Sequence, residues 1–152
     1  MGTGNHANLV YIIDFGLSKE FRDPNTRAHI PYRHGCGFTG TAAFASVNSH
    51  LGLELGRRDD LESLVYILIY LLCGFLPWQN ARGGILALKQ GITLDDMFCK
   101  LPMEFRSFLE ACHSLAFHDK PNYDQYYKLF NDLLLQQEFG SNLVFDWDVA
   151  QQ

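Results

Sequence analysis

The chain has 152 residues, of which 47% are apolar and 14% aromatic, enough for one domain with a packed core and too apolar for a disordered chain. A net charge of −5 provides no basic field for nucleic acid or an anionic membrane, and no nucleic-acid motif occurs. Cys36, Cys73, Cys99 and Cys112 are widely spaced with no C-x-x-C pair, so neither a zinc site nor a disulfide framework is indicated, and a reducing, intracellular setting is expected.

In chain order, "MGTGNHANL" has neither the basic nor the apolar region of a signal peptide, and His6 stands where myristoylation requires Ser or Thr. Leu9 to Ile13 is predicted to form a short buried strand. It runs into Asp14-Phe15-Gly16, where Asp14 reads either as a turn residue or as a carboxylate delivered to a metal-bound phosphate. Residues 17–56 have no helical period, and Phe21, Tyr32, Phe38 and Phe44 predict a draped, partly packed segment.

"RRDDLESLVYILIYLLCG" is the strongest helix pattern. Asp59 and Asp60 suit its positive end, and Gly74 with Pro77 suits its stop. Leu64 to Trp78 is too short an apolar run to cross a bilayer, so a central core helix is expected. The pattern weakens over 83–99, where "TLDDMFCKL" reads as a short helix capped by Thr93 with Asp96 three residues on. Phe105, Phe108, Leu109 and Cys112 mark one amphipathic helix. Tyr126, Phe130, Leu133 and Leu134 mark another, beginning near Pro121. Cys73 and Cys112 read as core thiols, Trp78 and Trp147 as core anchors, and the six histidines as surface or hydrogen-bonded residues. The expected fold is mainly α with a small N-terminal β element.

Several motifs, in order, resemble one family. "YIIDFGLSKEFRD", "HIPYR", "TGTAAFASVNSHLGLELGRRDDLESL", "LPWQ", "DKPNY" and "FDW" at 145–147 are similar to the C-terminal lobe of casein kinase 1 family protein serine/threonine kinases. The resemblance implies a partial protein-kinase fold across 1–152, with an activation segment over 14–48 and a helical lobe over 57–147. It further implies that Asp14 binds Mg²⁺ on the ATP phosphates, a hard oxygen ligand for a hard cation. Ile13 would line the adenine pocket. Arg33 would lie in the substrate-facing segment, and Thr41 would contact the catalytic base. Asp60 would hold the catalytic-loop backbone. Protein substrates, and a cytoplasmic or nuclear location, are implied in the same way.

Two departures qualify these expectations. The chain contains no G-x-G-x-x-G loop, no V-A-I-K-like lysine and no catalytic-loop H-R-D with its Asn. Met1-Gly2 aligns with the "MG" that follows that loop in the family, so the expectation is a chain beginning at an internal methionine, without a catalytic aspartate. Such a chain would be inactive alone and would not hold Mg·ATP productively. The alternative is a non-catalytic, pseudokinase-like remnant acting as an interaction module. Secondly, the family's anion-site arginine, glycine and lysine are replaced by Ala43, Asn80 and a shortened 80–98 region. Cys36 stands where the family has a lysine, and Arg82 is a displaced candidate substitute. With upstream helices absent, part of the apolar helix at 61–73 would be uncovered, inviting self-association or chaperone binding.

Overall fold

The computed structural model describes residues 9–81 and 83–137. The expectations placed on Arg82, on "FDW" at 145–147 and on Trp147 fall outside them. Six helices carry the fold: α1 (Val47–His50), α2 (Arg57–Cys73), α3 (Ile85–Gly91), α4 (Leu94–Phe98), α5 (Met103–Ser114) and α6 (Tyr123–Gln136). The mainly helical expectation therefore holds. No helix among the described residues is long and apolar enough to cross a membrane.

Local chemistry sets the helix ends. α2 stops at Gly74, whose φ of 77° closes the last turn in the left-handed region open to glycine. Thr93 caps α4 as its spacing implied, its hydroxyl accepting from the Asp96 N–H at 3.1 Å. Asn122 caps α6 through Gln125 N–H. The weakly patterned 83–99 stretch also contains α3.

The core lies where α2 meets α5. Val65, Tyr66 and Ile69 from α2 pack with Phe105, Phe108, Leu109 and Cys112 from α5, and Trp78 closes one side, edge-on to Tyr66 at 5.0 Å between ring centres. Phe108 meets Tyr126 at 4.8 Å and Phe130 at 5.4 Å, which docks α6. Trp78 and Cys112 are core residues as expected, and Cys73 packs against the core while half-buried. Leu134, expected on the inner face of α6, is exposed at its edge.

Two expectations are corrected. Leu9 to Ile13 is not a buried strand: it has no regular secondary structure, is exposed, and is unpaired by any ladder. An isolated apolar run cannot make a strand, because its N–H and C=O groups need a partner strand. Among the described residues the only β pairing is two isolated antiparallel bridges, Arg22 with His29 and His34 with Leu53. Nor is α2 covered all round as its own apolar pattern implied; it is partly open, which meets the second expectation, of uncovered surface at 61–73. Leu64, Ile67, Leu71 and Leu72 stay exposed, Leu71 by 71%.

The two faces of α2 predict different mutational costs. Leu109→Ala, opposite its buried face, should destabilise by about 2–5 kcal/mol. Leu71→Ala should stay within about 0.5 kcal/mol. Urea midpoints of the two variants check this, and equal costs would mean that the open face is covered in solution.

Candidate functional site

Residues 18–56 have little secondary structure of their own, so their backbone groups must find partners elsewhere. Three buried carboxylates and one buried lysine supply much of that anchoring. Glu54 is the first. Its carboxylate accepts from Lys19 and from Arg33, whose Nη2 and Nε lie at 2.9 and 3.2 Å. The Cys36 thiol stands 3.8 Å away. Gly52, at φ 68°, makes the adjacent turn and brings its carbonyl to Cys36 N–H at 2.9 Å. A Cβ there would stand 3.0 Å from the Cys36 carbonyl oxygen.

Asp59 and Glu62 project from the first turns of α2. Asp59 accepts from the Ser46 hydroxyl at 2.9 Å, the Asn48 amide at 2.8 Å and the Gly56 N–H at 2.8 Å. Glu62 accepts from Val47 N–H at 2.8 Å and the Tyr66 hydroxyl at 2.7 Å, with His113 Nε2 at 3.6 Å. Burial pushes the Glu62 carboxyl up, but the bonds from His113, Tyr66 and Val47 outweigh it and hold it below its ordinary value of 4.5. Burial and the Glu62 charge push the Tyr66 phenol upward.

Lys89 approaches the same segment from α3. It donates to the carbonyls of Ala42 and Ala45 and lies 4.5 Å from the Tyr66 ring centre and 5.0 Å from that of Trp78. Burial lowers its pKa to about 8, opposed by the Glu62 charge. Trp78 Nε1 donates to the Ala43 carbonyl at 2.7 Å, and His50 Nε2 lies 3.0 Å from that of Ala42. The backbone from Ala42 to Ala45 is thus fixed by three side chains from beyond it.

The residues expected to carry function sit mostly at the surface. Asp14 is exposed in a left-handed conformation, φ 61° and ψ 75°, and its carboxylate accepts from Gly16 N–H at 3.2 Å, capping a single 3₁₀ turn at Phe15–Leu17. That backbone is uncommon for a residue with a Cβ, though Asp is among those that tolerate it. Ile13 is 78% exposed. Thr41 is exposed, and its carbonyl accepts from Phe44 and Ala45 N–H, each at 2.9 Å. Arg33 spends its guanidinium on Glu54. Asp60 is exposed, and partial burial with the Asp59 charge raises its carboxyl pKa, opposed by Lys19. Among the described residues, no hydrogen bond or ion pair joins any two of Asp14, Arg33, Thr41 and Asp60.

Glu54, Glu62 and Lys89 were not anticipated from the sequence. The available signal was a lone charge set in an apolar pattern: "LGLELG", "LESLVY" and "LALKQG".

The fit of Mg·ATP can be judged from the donor set. Asp14 offers one carboxylate, enough for part of an octahedral Mg²⁺ sphere completed by water and phosphate oxygens. No cluster of three or more acidic, His or Cys side chains suited to a metal occurs among the described residues. Asp14 therefore fits one edge of such a group. No protein-family model matches the chain.

Two outcomes test this network. Lys19→Met with Arg33→Met strands Glu54 as a buried, unpaired carboxylate and should cost about 3–5 kcal/mol, whereas Glu54→Gln should cost less. Urea titration compares them. The Glu62 contribution has a definite sign. Its folded pKa is depressed, so the stabilisation is present above 4.5 and lost as pH falls through the folded value. Wild type should exceed Glu62→Gln in stability at pH 7, with the gap closing below 4.5. A constant gap from pH 7 to 3 would rule this out.

Proposed function

We propose that the chain is the C-terminal-lobe portion of a casein kinase 1-type serine/threonine protein kinase. The observation that carries this reading is the ordered run of motifs from "YIIDFGLSKEF" through "TGTAAFAS" and "GRRDDLESL" to "DKPNY". Geometry supports it at two points. Asp14 projects its carboxylate from a left-handed turn at the protein surface. The segment read as substrate-facing is not free loop but is pinned by Glu54, Asp59, Glu62 and Lys89. In this reading Asp14 supplies one oxygen to Mg²⁺, Ile13 lies beside the adenine, and Arg33 and Thr41 belong to the segment that meets the protein substrate. Asp60 faces the catalytic-loop backbone.

The 152 residues hold no catalytic-loop aspartate and no phosphate-binding glycine loop. Orientation and charge stabilisation are most of phosphoryl-transfer catalysis, so by themselves they should transfer no phosphate. A second reading, a non-catalytic interaction module, is favoured by one observation, the open apolar face of α2.

Purified chain incubated with Mg·ATP and casein should give no phosphorylation above a protein-free blank; incorporation abolished by Asp14→Ala would overturn the expected inactivity. An antibody against "GRRDDLESL" separates the two readings in source-cell extract. A band about twice 17.3 kDa, the size of a two-lobed domain, supports the kinase. A band at 17.3 kDa alone supports the module.

A further inference from the structure

The uncovered half of α2 has a pattern of its own. Leu64, Ile67 and Leu71 follow Asp60 at steps of four, three and four residues, the spacing of a seam that packs along a second helix. Leu72 and Phe75 stand exposed at its C-terminal end. Residues 63 to 81 contain no charged side chain, so nothing along the seam repels a like seam, and the one charge on it, Asp60, lies at the N-terminal end.

Area decides what such a face can hold. Its five apolar residues are between 40% (Ile67) and 71% (Leu71) exposed, which amounts to roughly 500 Å² per chain. Two such faces together bury about 1,000 Å², the size at which specific interfaces begin. A seam that is apolar along its length and charged at one end is complementary to itself when turned end for end. Parallel packing would set two Asp60 carboxylates side by side. Antiparallel packing about Ile67 holds them roughly 20 Å apart, at 1.5 Å of rise per residue.

We propose that the chain forms a twofold dimer in which the α2 seams of two copies pack antiparallel, Ile67 near the axis and Leu64 of each copy against Leu71 of the other. The inference rests on the interaction-module reading and names the partner as a second copy of this chain. An interface at the lower size limit dissociates readily, so the monomer prevails at high dilution. The small cost expected of Leu71→Ala belongs to that dilute regime.

Sedimentation equilibrium of the full chain should show a mass rising from 17.3 kDa toward twice that value between about 10 μM and about 1 mM, without further growth. Leu64→Glu and Leu71→Lys should each weaken the dimer at least about tenfold, because each buries a charge without a partner. Mixed one to one, the two variants should associate again, since antiparallel packing sets the new acid of one chain against the new lysine of the other and parallel packing does not. Both positions are exposed, and a melting curve at high dilution verifies that each variant folds. Ile12→Asp, in the exposed run from Leu9 to Ile13, should leave the association unchanged. A mass fixed at 17.3 kDa, growth beyond a dimer, association untouched by either α2 variant or lost with Ile12→Asp, or no rescue on mixing would each overturn the proposal. The immunoblot reads chain length under denaturing conditions, where the dimer comes apart. A monomer in sedimentation with a 17.3 kDa band therefore sinks the dimer and leaves the module reading, whereas a band of twice that size sinks the module reading itself.

Discussion

The structure turns on the burial of carboxylates at the start of α2. Asp59 and Glu62 leave water and recover hydrogen bonds from the chain just before their own helix: the Ser46 hydroxyl, Val47 N–H, the Asn48 amide and Gly56 N–H. An ionised carboxylate tolerates burial only when its lone pairs are filled. The requirement therefore runs both ways. The helix needs that segment folded to satisfy its acids, and the segment needs the acids because it has almost no backbone pairing of its own. Glu54 repeats the arrangement one turn of chain earlier with Lys19 and Arg33. Such pairs contribute little net stability, because desolvation offsets much of the attraction. What they fix is one conformation, since any rearrangement strands a charge.

Lys89 completes the enclosure from the opposite side. Its ammonium meets carbonyls of Ala42 and Ala45 while the Trp78 indole donates to the carbonyl between them. The carbonyls of three nearby residues are thus satisfied by side chains rather than by a ladder, which lets an irregular backbone lie against a core. Ala42 and Ala43 suit this close approach, having no bulk to hold the backbone away.

The helices were largely legible in the sequence because their signals are local. Thr93 with Asp96, Gly74 after Cys73, and Phe105, Phe108, Leu109 and Cys112 at helical spacing are each decided within a few residues. Strand formation at Leu9–Ile13 was misread because a strand is a pairing, and no local pattern reveals whether a partner exists. The candidate site was less legible. Motif order nominates Asp14, Thr41 and Asp60 as candidates, but it does not reveal the groups that shape the segment. Glu54 pairs with residues 35 and 21 positions earlier, and Lys89 bonds across 47 and 44 positions. A lone charge in an apolar pattern says that a partner is needed without saying which. The two adjacent acids make the same point, since sequence could not divide their labour: Asp59 is buried and triply bonded, while Asp60 turns outward.

α2 therefore presents two unlike halves around one axis. One side, Asp59, Glu62, Val65, Tyr66 and Ile69, is fully committed, its acids bonded and its apolar groups packed. Asp60, Leu64, Ile67 and Leu71 follow at three- and four-residue steps along the other, with a carboxyl of raised pKa at the head of an open apolar stripe. At about 25 cal/mol per Å² of apolar surface, that stripe is stabilisation the described residues do not collect among themselves. The carboxyl is likewise left for solvent to satisfy. An acid followed by a helical stripe of Leu and Ile has the composition of a buried face, matching in kind the committed side across the axis. The irregular segment is locked by one half of this helix, through Asp59 and Glu62, while the open stripe from Leu64 to Leu71 lies on the other half and takes no part in that locking.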